Sequence, residues 1–171
     1  QKMIGKADLD IIVLGGKTGS GKTDILHALK AAGEQVIDLE GLANHKGSAF
    51  GAINEDAQPS SEHFENKLYD DLRQLDYTKR IWVENESKGI GRIFISDPFW
   101  EKMKLAPLIH IEIPLEVRAE YLASTYGTFR SDDLKKSFDA IKKRLGGLAL
   151  KQAIEHIDNQ DYKSAAILAL K

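Results

Sequence analysis

The sequence contains no cysteine and, among its 171 residues, only four prolines, two methionines and two tryptophans. Without thiols this chain cannot form disulfides, thiolate zinc sites or a cysteine nucleophile; it suits a reducing compartment, and the cytoplasm is the expected location. An excess of one charge is missing too: 24 basic residues against 26 acidic ones leave a formal net charge of -2. No overall positive field therefore favours nucleic acid or an anionic membrane, and any RNA contact has to be a local patch. No apolar run reaches 18 residues, so no membrane partner is expected. The opening Gln1-Lys2-Met3 lacks the layout of a signal peptide, and a Gln1 start suggests an excised fragment. The 42% of hydrophobic residues is enough for one globular domain with a core of ordinary size.

The strongest positive signal is residues 16–23, GKTGSGKT, a complete Walker A phosphate-binding loop that follows the apolar run Ile11-Ile12-Val13-Leu14. Gly16, Gly19 and Gly21 permit backbone angles that let successive N–H groups turn toward an anion, with Lys17, Thr18 and Ser20 between them. Lys22 supplies a point charge to the terminal phosphate. Thr23 offers a hydroxyl where a phosphate-bound magnesium sits, and the helix that begins near Lys22 presents its unpaired N–H groups.

Periodicity predicts strands at 10–15, 35–39, 80–84 and 108–113, with helices at 22–32 (stopped by Gly33) and from Ser60 or Ser61 to about Leu75. A short helix is expected to open with Asp97 as cap and Pro98 at its first position. Residues 40–59 show no sustained period and are expected to be a long functional loop. From Leu115 onward the pattern is all helix, three or four of them, broken at Gly146-Gly147. Strands alternating with helices after a Walker loop imply a three-layer α/β P-loop NTPase fold with a parallel sheet of order 2-3-1-4. The expected division is a core over 1–114 and a C-terminal helical region over 115–171.

In such a sheet ligands bind beyond the carboxyl ends of the strands, which singles out the polar residues that follow each apolar run. Glu84 ends Ile81-Trp82-Val83 in the place of a Walker B acid, fit to hold magnesium with Thr23, or else to pair with Lys88; Glu86 lies two residues on. Asp38 and Glu40 follow the second strand, either as bases toward an acceptor hydroxyl or as capping groups. Lys22, Arg118 or magnesium can each balance these carboxylates. With Asp38 and Glu40, the segment 45–51 makes a candidate substrate loop, suited to a flexible wall that closes on a ligand; it holds Ser48, His45 as a candidate acid or base, and Phe50, which is otherwise a core anchor. Lys135, Lys136, Lys142 and Lys143 concentrate positive charge where RNA phosphates can lie.

The runs VIDLEGLANHKGSAFG (36–51), QPSSEHFENKL (58–68), WVENES (82–87) and AIKKRLG (140–146) closely resemble one family, the tRNA 2-selenouridine synthases. The resemblance covers nearly the whole chain. It implies a transferase that modifies the wobble uridine of tRNA, exchanging the sulfur of 2-thiouridine for selenium from selenophosphate through a geranylated intermediate. In that family a rhodanese-like domain bearing the reactive cysteine precedes the P-loop domain; this chain lacks that cysteine and is not expected to complete selenation alone. The resemblance makes geranyl diphosphate, as well as a nucleoside triphosphate, a candidate for the loop. Lys22, Thr23, magnesium and Arg118 would then stabilise the leaving diphosphate, with Glu84 holding the metal. The residues by themselves also suit a small-molecule or nucleoside kinase using ATP and magnesium, although no arginine-rich lid insertion is visible. A phosphate-sensing tRNA-docking module is a third reading.

Overall fold

Alternating apolar positions in two strands decide the architecture. In the computed structural model, which describes residues 9–171, β1 (Ile11–Gly16) and β3 (Ile81–Glu84) pair in parallel with Ile11 opposite Ile81 and Val13 opposite Val83. Ile11, Val13, Ile81 and Val83 join one core, whereas Leu14 and Trp82 join another together with Ile12. Both faces of the sheet therefore need a cover. Leu26 of α1 (Lys22–Ala31) packs with Leu14 and Trp82. The other face receives Phe64, Leu68 and Leu72 of α3 (Ser61–Leu72) and Phe99 and Met103 of α4 (Asp97–Leu105).

With β2 (Gln35–Ile37) and β6 (Leu108–Ile111), the sheet runs in the order β2-β3-β1-β6, all parallel. This is the expected order, because β6 is the fourth strand read from the sequence. A small antiparallel hairpin, β4 (Gly89–Ile90) with β5 (Ile93–Phe94), precedes it; two-residue strands leave too little alternation to read in advance.

Tertiary contacts divide the chain into two units. Of the described residues, the first holds 9–16, Gly21–Gly47 and Asp56–Ile111, and the second holds Lys17–Ser20, Ser48–Glu55 and Glu112–Lys171. The second unit thus takes in two short segments from earlier in the chain, and residues 1–8, including Gln1 to Met3, lie outside those described. The second unit contains α5 (Leu115–Tyr126), α6 (Ser131–Ala140), the single turn α7 (Lys142–Leu145), α8 (Gly147–Asp158) and α9 (Tyr162–Leu170). Its own core gathers Ala119, Tyr126, Leu134, Phe138, Leu150, Ala153, Ile157, Ala165 and Ala166.

Three local expectations need correction. From Leu115 onward the described residues form five helices and not three or four, because the single turn α7 is too short to carry a period. The stretch 40–59 is not all loop: α2 (Leu39–Ala43) opens it, capped by Asp38, whose carboxylate accepts the Gly41 N–H at 2.8 Å. Five residues are too few to display a helical period. The residue preceding α4 is Ser96, in extended conformation, so Asp97 and Pro98 are its first two helical positions.

Candidate functional site

The phosphate loop is set by two left-handed residues, Gly19 at φ 80° and Gly21 at φ 75°. At Gly19 a β-carbon would also come within 3.0 Å of the Arg118 carbonyl. Gly21 is the N-cap of α1 and no side chain among the described residues caps that helix, so its first-turn N–H groups are left for an incoming acceptor. Within the loop the Ser20 N–H donates to the Lys17 carbonyl at 3.1 Å, while the Ser20 hydroxyl is buried without a partner among the described residues. Lys17 and Thr18 are exposed.

In the first unit the acids converge. Glu40, Glu84 and Glu86 bring carboxylate oxygens within 4.8 Å of one another. β3 delivers Glu84, which is fully buried; its Oε1 accepts the Glu40 N–H at 2.8 Å, and its Oε2 has no partner among the described residues. Burial pushes the Glu84 carboxyl well above the ordinary range, against the lowering pull of the Glu40 N–H. Glu40 is pushed up by burial first and by the charges of Glu84 and Glu86 next. Glu86 is also raised by burial first, and its carboxyl interacts with that of Glu40. Lys22 opposes the rise in all three. Its Nζ donates to the Gly16 carbonyl at 3.1 Å, and the Thr23 hydroxyl donates to Glu40 Oε2 at 3.4 Å. Gly47, at φ 60°, stands where a β-carbon would run into the Glu86 carboxyl, so this glycine leaves the room that Glu86 fills.

The other candidates separate. Asp38 caps α2 and lies 3.8 Å from His27. His45 follows Asn44, the left-handed cap of α2, and its N–H donates to the Glu40 carbonyl at 3.1 Å. Ser48 and Phe50 belong to the second unit. The Phe50 N–H donates to Ser48 Oγ at 3.2 Å, and the Phe50 ring is buried against Tyr126 and Phe138 at 5.2 and 5.0 Å between centroids, which makes it a core anchor. Arg118, also in the second unit, is 6% exposed and not on a solvated face: it donates from Nε to the Ile113 carbonyl at 3.2 Å and from Nη1 to the Thr18 carbonyl at 3.0 Å. Arg118 therefore braces the loop backbone. Lys88 pairs with Asp97 and not with Glu84.

A hard cation suits the acidic cluster, since three carboxylates bring oxygens within 4.8 Å of one another and one Glu84 oxygen is buried without a partner among the described residues. The sequence pointed to Thr23 and Glu84 for this purpose. Glu40 and Glu86 complete the group, and the signal for them was their position just beyond β2 and β3.

Comparison with known proteins gives a consistent result. A family model described as the tRNA 2-selenouridine synthase AAA domain matches residues 9–166. A tRNA 2-selenouridine synthase of a Sulfurovum species is 39% identical over 162 residues, 84% of this chain and 43% of that protein. Its counterpart in Shewanella frigidimarina is 36% identical over 168 residues, 87% of this chain and 44% of that protein. The one from Aeromonas salmonicida is 41% identical over 116 residues, 67% of this chain and 30% of that protein. The chain thus spans less than half the length of these curated relatives.

Proposed function

The chain belongs to the tRNA 2-selenouridine synthase family, and from that premise we propose that it is the P-loop domain of a tRNA wobble-uridine modifying transferase, binding a diphosphate donor and part of the tRNA. What carries the reading is the loop itself: two left-handed glycines, an uncapped α1 and a buried Ser20 hydroxyl without a partner make a cradle for phosphate oxygens. Nothing in such a cradle reads an adenosine, so a prenyl diphosphate fits it as well as ATP.

With geranyl diphosphate as donor, the sulfur of 2-thiouridine forms a bond to the terminal geranyl carbon as that carbon's bond to the diphosphate oxygen breaks. The diphosphate departs with the electron pair and the uridine ring loses its N3 proton. The chain's task is to hold the departing anion, through the loop amides and Lys22, with Arg118 fixing the loop by its grip on the Thr18 carbonyl. Glu40, Glu84 and Glu86, with the Thr23 hydroxyl beside Glu40, would hold a magnesium ion, which when bound neutralises charge on the diphosphate. Exchange of sulfur for selenium from selenophosphate belongs to the whole protein and its rhodanese-like domain.

The test is calorimetric titration of the chain with geranyl diphosphate, inorganic diphosphate and ATP, each with and without magnesium. Binding of both diphosphates is the expected result. Tight ATP binding with no affinity for geranyl diphosphate would overturn the reading in favour of a kinase.

A further inference from the structure

Lysines of helices α6 to α9 fall into two groups. Lys135 pairs with Asp158 at 2.5 Å, Lys136 with Asp133 at 3.2 Å and Lys163 with Glu120 at 2.8 Å. The charge that the sequence suggested for Lys135 and Lys136 is therefore neutralised locally. Lys142, Lys143 and Arg144 of α7 and Lys151 of α8 are different: all four are exposed, and none has an acidic partner among the described residues. They stand in a stretch, 140–154, that contains these four cations and no acid, within a chain whose net charge is -2. In a molecule this balanced, an acid-free run is where a polyanion gains most from contact.

The geometry keeps the charges together. α7 packs on α8, and α8 turns Leu150, Ala153 and Ile157 inward, which leaves Lys151 on its outer side with the 74% exposed Leu148 one turn earlier. Four exposed cations and one bare apolar side chain thus lie on two helices that pack on each other. Backbone phosphates take the cations, and an unstacked base or ribose can lie on the leucine.

We infer that Lys142, Lys143, Arg144 and Lys151 form the surface on which this chain receives the phosphate backbone of tRNA. The inference rests on the tRNA-modifying reading above and adds the place where the RNA lies. Binding by point charges is sequence-independent, so this surface positions the substrate, while selection of the wobble base is left to other contacts.

The experiment uses the 171-residue chain and an unmodified tRNA transcript, with binding followed by fluorescence anisotropy across a salt series. For the Lys142→Ala, Lys143→Ala, Arg144→Ala triple variant, affinity should fall about tenfold to a hundredfold, and the slope of log affinity on log salt should shrink by about 2 to 3. Lys142→Arg with Lys143→Arg should bind as the wild type does, and Lys135→Ala with Lys136→Ala should change affinity by less than about threefold, since those lysines are already paired. A triple variant that keeps the wild-type affinity and salt slope would overturn the surface while leaving tRNA binding intact. A wild-type chain that ignores tRNA but binds vesicles of phosphatidylglycerol would overturn it in favour of a membrane. Diphosphate titration of the triple variant separates the two readings: heats equal to wild type leave the loop function standing whatever the RNA result.

Discussion

Glu84 accepts the backbone N–H of Glu40 at 2.8 Å, a bond that ties the carboxyl end of β3 to the first turn of α2 and leaves the second Glu84 oxygen buried among carboxylates. Glu84→Gln keeps the acceptor for Glu40, supplies a permanent donor at the orphaned position, and removes a carboxyl whose burial disfavours its ionised form. In metal-free buffer the variant should be more stable by about 1–2 kcal/mol, or ~3–6 °C in Tm for a chain of this size. Magnesium should raise the Tm of the wild type and leave the variant's unchanged. Thermal melts with and without magnesium chloride give both readings; a destabilised variant, or equal response to magnesium, would contradict the account.

Lys22→Ala separates binding from folding. Among the described residues the ammonium makes one hydrogen bond, to the Gly16 carbonyl from a half-buried position, so its loss should cost at most about 1 kcal/mol of stability. Affinity for inorganic diphosphate should fall about a hundredfold, because a charge-assisted contact to phosphate is worth ~2–3 kcal/mol. Urea unfolding and calorimetry on the same preparation check the two halves. Unfolding of the variant would show that the lysine holds the fold instead.

The pattern of what was legible follows from length and locality. The four sheet strands, α1, α3 and the phosphate loop announce themselves through runs of apolar residues or a fixed spacing of glycines, which are local signals. α2, with five residues, and the hairpin, with two per strand, are too short to carry a period. Glu84 was visible as the acid ending an apolar strand, but its link to Glu40 joins residues 44 apart in sequence, and nothing in either neighbourhood encodes that bond. Arg118 shows the same limit: its position after the last strand was readable, whereas its burial and its bond to Thr18, 100 residues earlier, belong to tertiary packing.

Two glycines with similar backbones should respond differently to alanine. Gly33 has φ 92° and nothing within 4 Å of the added carbon, so Gly33→Ala should cost only the left-handed strain, about 1 kcal/mol. Gly19 has φ 80° and would also press a methyl against the Arg118 carbonyl at 3.0 Å and Leu122 Cγ at 3.1 Å, which should raise the cost to about 2–4 kcal/mol and weaken diphosphate binding with it. Urea midpoints of the two variants, with calorimetry on Gly19→Ala, measure the difference. Equal costs would mean that the loop yields freely around Arg118.

Acid stability should carry the signature of Glu34, which the sequence did not single out. Its carboxylate accepts from Arg80 Nε at 2.7 Å, from Arg80 Nη2 at 2.5 Å and from Trp82 Nε1 at 3.0 Å, a fork that joins the start of β2 to β3. These bonds, from Arg80 first and Trp82 next, bring the carboxyl down from 4.5 to about 2. A carboxyl lowered in the folded state releases its proton more readily there than in the unfolded chain, so its contribution is complete above pH 4.5 and is lost as pH falls toward about 2. Glu34→Gln removes the titrating group. The stability gap between wild type and variant, read from urea unfolding at a series of pH values, should be constant at neutral pH, narrow below pH 4.5 and close near pH 2, and it should be smaller in high salt because Arg80 is exposed. A gap that stays constant across that window would show that the fork contributes hydrogen bonds alone and that its charge contributes nothing.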